Sequence, residues 1–326
     1  AFFDTHLSEY GLGERPFAKT PRSTGWGVSL KGGASFTDQG AIPPTVPSTA
    51  TQGDAGDPVM ARDTGNGAIY LLTNPSREAG TWTGFRLWKS MDNGQTFSLF
   101  NANVPSGLTS GDKPMIAVNS FAGTANYHHL YVAGTATVNG SRGTFATYST
   151  DGGATWHSPK LLSIGGHGAD LAIALNGTVY VFYIVNGPSV GLWYSRRRTT
   201  DTDWYAPVQI AAHADSQNFY SASANGSGNP KRSNSATTED YFVSNAFPRA
   251  AVNPVTGRIY IVYADLPFAG STTDRGDIFI SEGIPNADGS LTISGSGVRK
   301  LNNDGTVTDQ WNPSIAINPA GTQLFV

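Results

Sequence analysis

Two stretches share the pattern that decides the fold: Ser90-Met91-Asp92-Asn93-Gly94-Gln95-Thr96-Phe97 and Ser149-Thr150-Asp151-Gly152-Gly153-Ala154-Thr155-Trp156. An aspartate side chain can accept hydrogen bonds from turn amides, and glycine tolerates the positive φ that tight turns need. The aromatic residue that ends each stretch can pack under such a turn. Residues 29–36 repeat the pattern with Lys31 in place of the aspartate. The pattern therefore predicts a recurring hairpin turn between two strands.

A second repeat lies between these turns. It is a short apolar run led by proline or an acidic residue, then a glycine-containing turn and a strand with an aromatic residue. The aromatic residues are Tyr70, Tyr131, Tyr180, Tyr260 and Phe325. Each period holds four strands, which we name A (the apolar run), B (the aromatic strand), C (before the hairpin turn) and D (after it). Repeated four-stranded antiparallel units are propeller blades, so the sequence predicts an all-β propeller.

The number of blades has two possible values. The chain opens with a C–D unit near residues 24–40 and closes with an A–B pair at 312–326. Six blades, the favoured value, follow if residues 1–20 are the remains of an earlier A–B pair. Five blades follow if the two termini share the closing blade. Residues 1–326 are predicted to be one propeller domain, with residues 211–246 as a long loop inserted on the pocket face.

Composition narrows the classes of function. Only 14% of the residues are charged and the formal net charge is −3, which gives no electrostatic reason to expect a nucleic-acid partner. The absence of cysteine excludes disulfides, thiolate chemistry and cysteine-ligated metals. The sequence holds no apolar run long enough to span a membrane. We expect no cofactor and no metal; a structural calcium at the turn 302–305 is an alternative without further support.

The hairpin pattern resembles the Asp-box, or bacterial neuraminidase repeat, and the chain resembles the sialidase-like propeller superfamily over residues 24–326. The resemblance implies a protein of the extracellular space or the cell envelope, secreted by a bacterium, whose partner is a glycan or a cell-surface protein. It also implies that the repeat residues stabilise turns and blade packing, far from any reaction centre. These structural residues are Ser90, Asp92, Gly94, Phe97, Ser149, Asp151, Gly153 and Trp156.

Four candidate site carboxylates lie just before strand A in different blades. They are Asp57, Asp112, Asp170 and Asp309. Strand A is innermost in a propeller, and the D–A and B–C loops lie on one face, so these side chains are predicted near the central axis. One interpretation is a ring of carboxylates around a pocket, able to share a proton or bind a cation. The favoured interpretation is a repeated structural cap at the start of strand A.

Arginines form a second candidate set. Arg142 and Arg275 lie in B–C loops, and Arg249 begins a strand A. Guanidinium groups can hold a substrate carboxylate with two parallel hydrogen bonds. In an enzyme, the resemblance would imply that Tyr241 with Glu239 attacks the anomeric carbon, and that Asp57 or Asp112 serves as acid/base.

The sialidase set is incomplete in this sequence, because the Arg-Ile-Pro motif is missing and Arg86-Leu87-Trp88 is a loose match that lies in a strand C. Two functions follow. The favoured one is a propeller that binds glycans or proteins without a catalytic set. The alternative is an exo-glycosidase of sialidase type that cleaves terminal acidic sugars by a retaining mechanism.

Overall fold

The fold is all-β in the computed structural model, which describes residues 2–4, 24–42, 56–75, 84–185, 190–213, 246–268, 271, 274, 276–306 and 308–326. Within these ranges the secondary structure is 21 strands and contains no helix. The described ranges accordingly hold no helix that is long and apolar enough to cross a membrane. The all-β prediction is confirmed.

The chain divides into two compact units, Ala1–Leu161 and Leu162–Val326. The prediction of one domain over residues 1–326 stays a prediction.

The first unit begins with a three-stranded sheet in the order β1 (Phe2–Asp4), β2 (Thr24–Val28), β3 (Thr37–Ala41). A four-stranded sheet follows, made of β4 (Val59–Arg62), β5 (Ile69–Thr73), β6 (Phe85–Ser90) and β7 (Ser98–Val104). The next sheet contains β8 (Leu108–Val118), β9 (Leu130–Val138), β10 (Ser141–Ser149) and β11 (Lys160–Ile164), and β11 runs past the end of the unit at Leu161. Neighbours along the chain pair antiparallel in each sheet.

The second unit contains two more sheets of the same kind. The first is β12 (Gly166–Ile173), β13 (Val179–Val185), β14 (Gly191–Arg197) and β15 (Val208–Ala212). The second is β16 (Arg249–Val252), β17 (Ile259–Asp265), β18 (Asp277–Pro285) and β19 (Leu291–Lys300). A two-stranded pair, β20 (Ala316–Ile317) and β21 (Leu324–Phe325), completes the described strands.

The A–B repeat of the sequence is an antiparallel pair with one register. In each copy an alanine of strand A lies opposite the aromatic residue of strand B. The pairs are Ala61 with Tyr70, Ala117 with Tyr131, Ala172 with Tyr180, Ala251 with Tyr260, and Ala316 with Phe325. This register allows equivalent positions to be compared between blades.

The core of each unit lies between neighbouring four-stranded sheets. In the first unit, Tyr70 and Leu87 from one sheet cluster with Val132 and Phe145 from the next. In the second, Phe182 and Tyr194 cluster in the same way with residues of β16–β19, among them Tyr263. Successive four-stranded antiparallel sheets packed on one another are propeller blades, and the predicted fold class is confirmed. The choice between six blades and five stays a prediction.

Candidate functional site

A left-handed backbone residue recurs where the chain turns into strand A. Asp57, Lys113 and Asn312 have φ of 49°, 50° and 55°, and Gly168 has φ of 62°. In the common register all four occupy one position, four residues before the alanine that faces the aromatic residue. We call this position the A-strand corner. A non-glycine residue there is strained, so the surrounding contacts must hold it in place.

In the first unit the two strained corners bind each other. The Lys113 Nζ atom lies 3.2 Å from both carboxylate oxygens of Asp57. Asn74 Nδ2 donates to Asp57 Oδ2 at 2.8 Å, and Asp112 Oδ1 accepts from the Lys113 amide at 3.0 Å. Both candidate acid/base carboxylates thus hold protein partners, and Asp57 links the inner strands of adjacent blades. These contacts support the structural interpretation; the catalytic roles of Asp57 and Asp112 stay predictions.

In the second unit Asp170 makes the corresponding link. Its side chain is buried, and Oδ2 accepts a hydrogen bond from the Ala250 amide of the next inner strand at 2.7 Å. Burial raises the pKa of Asp170 to about 6, although the Arg249 guanidinium and the Ala250 amide act in the opposite direction. Arg249 is half-buried and donates through Nη1 to its own neighbour, the Pro248 carbonyl, at 3.1 Å. The structure therefore brings together two of the predicted site residues, Asp170 and Arg249.

A glycine makes this approach possible. The β12 ladder is irregular between His167 and Asp170, and Gly168 lies at the irregularity with its positive φ. A Cβ atom at position 168 would meet the Phe247 ring at 1.9 Å. The His167 and Phe247 rings stack with centroids 5.3 Å apart. A side chain at position 168 would push these inner strands apart and disturb the Asp170 contact.

A polar network lies at the ends of β18 and β19. Asp277 is fully buried; Lys300 Nζ is 2.7 Å from its Oδ2, and Asn302 Nδ2 donates to its Oδ1 at 2.6 Å. Asn302 Nδ2 also donates to Gln310 Oε1 at 2.8 Å. The Gln310 amide donates to the Gly276 carbonyl at 2.6 Å, which ties the D–A loop to the B–C loop. No pattern in the sequence predicted this network.

Asp274 adds a second carboxyl group to the network. Its side chain is buried, and burial raises its pKa; the negative charge of Asp277 raises that pKa further, and Asp309 contributes in the same direction. The predicted ligand residue Asp309 therefore lies within electrostatic reach of Asp274. The hydrogen bond to the Asp277 carboxylate also raises the pKa of Lys300, so the ammonium group stays charged.

Two exposed aromatic side chains lie in the two loops that the Gln310–Gly276 hydrogen bond joins. Phe268, in the loop that follows β17, is 63% exposed, and Trp311, next to Gln310, is 45% exposed. We call Asp274, Asp277, Lys300, Asn302, Gln310, Phe268 and Trp311 together the outer-loop site. Exposed aromatic rings and a few fixed polar groups on the same loops are a composition typical of small-ligand sites.

Among the described residues, these contacts and the outer-loop site include none of the remaining predicted site residues. Arg142, in the first unit, donates through Nη1 to Ser110 Oγ at 2.9 Å. Tyr241, Glu239 and Arg275 lie outside the described residues, as do residues 214–245 of the long loop. Within the described ranges no group of three or more His, Cys, Asp or Glu side chains is placed to hold a metal ion.

The hairpin turns at residues 90–97 and 149–156 share one hydrogen-bond pattern. Ser90 Oγ accepts from the Gly94 amide at 2.9 Å and donates to Asp92 Oδ1, as Ser149 does with Gly153 and Asp151. Hydrogen bonds from the following threonine lower the pKa of both aspartates to about 2.

The aromatic residue that ends each turn is packed against protein. Phe97 packs edge-on against Trp26 at 5.9 Å, and Trp156 Nε1 donates to the Gly153 carbonyl at 3.1 Å. In the copy that carries Lys31, by contrast, Phe36 is 57% exposed. The two turns with an aspartate are therefore bound more closely into the blades.

Solved structures support the fold. The Penicillium chrysogenum α-L-arabinanase, complexed with arabinobiose, matches 85% of this chain and 74% of its own length with a TM-score of 0.51 and 14% identity. The Hadza microbial sialidase Hz136 matches 83% of this chain with a TM-score of 0.50 and 15% identity. The chain spans about half of that sialidase, 51% of its length. Neither protein-family models nor curated protein sequences match this chain.

Proposed function

We propose that this chain is a sialidase-like propeller that binds glycans through the outer-loop site, outside the cell or in its envelope. The observation that carries the proposal is that Phe268 and Trp311 are exposed on the two loops joined by the Gln310–Gly276 bond, and the same loops hold the hydrogen-bonded groups of Asp277, Asn302 and Gln310. A sugar ring has apolar faces that can lie on an aromatic ring and hydroxyl groups that need fixed partners at its edge. A free glycan or the glycan of a cell-surface protein would satisfy both requirements.

The contacts of the inner carboxylates support binding over catalysis. Asp57 is occupied by Lys113 and Asn74, and Asp112 accepts an amide of its own chain segment. An acid/base carboxyl must exchange its proton with the substrate, so a carboxylate held in an ion pair between blades is poorly suited to that role. The similar solved structures include a sialidase and an arabinanase complexed with arabinobiose, which agrees with a sugar ligand.

A glycan array probed with the whole chain tests the proposal. We expect saturable binding to a subset of glycans, with no release of sugar from the bound ones. Binding to none of the glycans would contradict it. Binding to a protein after enzymatic removal of its glycans would favour a protein partner instead.

The alternative function, an exo-glycosidase of sialidase type, is favoured by one observation. Burial raises the pKa of Asp170 to about 6 beside Arg249, and a general acid needs a carboxyl that keeps its proton near neutral pH. In this mechanism Asp170 protonates the leaving oxygen, while Tyr241 assisted by Glu239 attacks the anomeric carbon. A fluorogenic sialoside assay separates the two functions: turnover that is lost in both Asp170→Asn and Tyr241→Phe would establish the enzyme, and absence of turnover in the unaltered chain would reject it.

A further inference from the structure

Arg86 is a buried cation without a carboxylate partner. It lies on β6 opposite Thr73 of β5, and its residue is only 7% exposed. Nη1 donates to the Ala102 carbonyl at 2.6 Å, whereas the buried Nε has no acceptor. No carboxylate of the described residues pairs with the guanidinium, and burial lowers its pKa. Most buried charges in proteins are paired, so this one calls for an explanation.

The backbone around Arg86 is shaped to place this side chain. The β6–β7 ladder loses its regular register between Phe85 and Leu87, the two neighbours of Arg86. Just before them, Gly84 has φ of 134°, and a Cβ atom there would lie 2.8 Å from the Val104 amide nitrogen. Bulges of this kind redirect a side chain, and here the bulge accompanies the bond to the Ala102 carbonyl.

The unused part of the guanidinium has a defined geometry. With Nη1 occupied, the Nε and Nη2 edge is left, and this edge presents two parallel N–H donors. Thr73 adds a third donor on the same face of the sheet: its buried hydroxyl oxygen accepts from Trp88 Nε1 at 3.2 Å, which leaves the hydroxyl hydrogen to donate. Directly opposed side chains in an antiparallel pair are close enough to act on one ligand.

We propose that Arg86, with Thr73, binds an oxyanion group of a ligand, such as a carboxylate, sulfate or phosphate ester, through the Nε–Nη2 edge. Such a group would supply the missing negative charge and the missing acceptors at once. This site is in the first unit and uses none of the residues of the outer-loop site, so it does not depend on the proposed glycan binding.

Anion-dependent thermal stability of the whole chain tests the proposal. The unaltered protein, Arg86→Gln and the control Arg62→Gln, which alters an exposed arginine, are melted in increasing sodium acetate or sodium sulfate against sodium chloride of equal ionic strength. Sulfate stabilises most proteins without binding at a site, and the change in Tm of Arg86→Gln measures that general effect. We expect a saturable rise in Tm in the unaltered protein and in Arg62→Gln, and loss of the saturable part in Arg86→Gln. The same response in all three proteins would overturn the proposal.

A second measurement does not require a variant that folds. The side-chain Nε–H resonance of Arg86 is followed by NMR in the unaltered protein during the same titrations. A saturable shift with acetate identifies a carboxylate ligand, and one with sulfate alone identifies a tetrahedral oxyanion. A resonance that moves with neither salt would overturn the proposal.

Discussion

At the scale of single residues, Asp170 shows how burial sets a carboxyl group's behaviour. The group is buried between two inner strands, and its hydrogen bonds with the Ala250 and Leu171 amides are too few to compensate for the lost hydration of a charge. Its pKa therefore rises from 3.8 to about 6. Asp92 and Asp151 behave oppositely, because they keep contact with solvent and each accepts several hydrogen bonds that favour the charged form.

This difference predicts the pH dependence of stability. Between pH 4 and 6 the folded chain keeps a proton on Asp170 that the unfolded chain has released, so stability falls as the pH rises through this window. The loss is on the order of 3 kcal/mol, since one unit of pKa corresponds to about 1.4 kcal/mol. Urea unfolding at several pH values should show this decline in the unaltered chain and a flatter profile in Asp170→Asn.

An identical decline in Asp170→Asn would exclude Asp170 as its source. Asp274 has a raised pKa from burial and contributes in the same direction, so a residual slope in the variant is expected. Asp92 and Asp151, with pKa values of about 2, add stability that is present above pH 4 and is lost only as the pH falls below that value.

Gly168 allows the close approach of the Phe247 ring to the A-strand corner in β12. Its replacement by alanine combines a positive φ with a clash against the Phe247 ring. Gly67 has φ of 79° and no atom near its missing Cβ, so Gly67→Ala measures backbone strain alone. We expect Gly67→Ala to lower the free energy of unfolding by about 1–2 kcal/mol and Gly168→Ala to lower it by at least twice as much. Equal losses would show that the Phe247 contact does not constrain this corner.

At the scale of elements, a serine hydroxyl group holds each hairpin turn, but the serine is buried in only some of the copies. Ser149 is fully buried and accepts the Gly153 amide at 2.8 Å, whereas Ser29 makes the equivalent bond to Gly33 in an exposed turn. Removing the hydroxyl leaves a buried amide without a partner in the first case and a hydrated amide in the second. Burial, not the bond itself, should decide the effect.

Ser149→Ala should therefore lower the free energy of unfolding by about 1–3 kcal/mol, and Ser29→Ala by less than about 0.5 kcal/mol. Chemical denaturation of the two variants measures the difference. If Ser29→Ala is as destabilising as Ser149→Ala, the turn matters through its local hydrogen bond regardless of burial.

The sequence predicts contacts between strands that are adjacent in the chain better than contacts between distant segments. The period of Tyr70, Tyr131, Tyr180, Tyr260 and Phe325 identified the A–B pairs because each pair is a short hairpin whose two strands are adjacent in the chain. The bond between Asp277 and Asn302 joins residues on opposite sides of the β18–β19 hairpin. Its position depends on the register shift between Ser281 and Gly283, which no residue pattern indicates. The ion pair of Asp57 and Lys113 likewise joins adjacent blades.

At the scale of the whole molecule, the strand inventory bears on the number of blades. β1 pairs with β2, so the first C–D unit already has a neighbour in the position of a strand B. The last described sheet has an A–B pair in β20 and β21. This arrangement agrees with the prediction of six blades, in which the N-terminal residues belong to an A–B pair of their own. Six therefore stays the favoured prediction.

Glycan binding at the outer-loop site is tested most directly by the dissociation constant of the whole chain for its best array glycan. Trp311→Ala removes an aromatic ring beside the polar network, and Phe36→Ala removes a comparably exposed ring from a hairpin turn in the first unit. We expect Trp311→Ala to weaken binding about tenfold or more, which corresponds to about 1.4 kcal/mol, and Phe36→Ala to leave it unchanged. Equal affinity of both variants and the unaltered chain would contradict binding at this site.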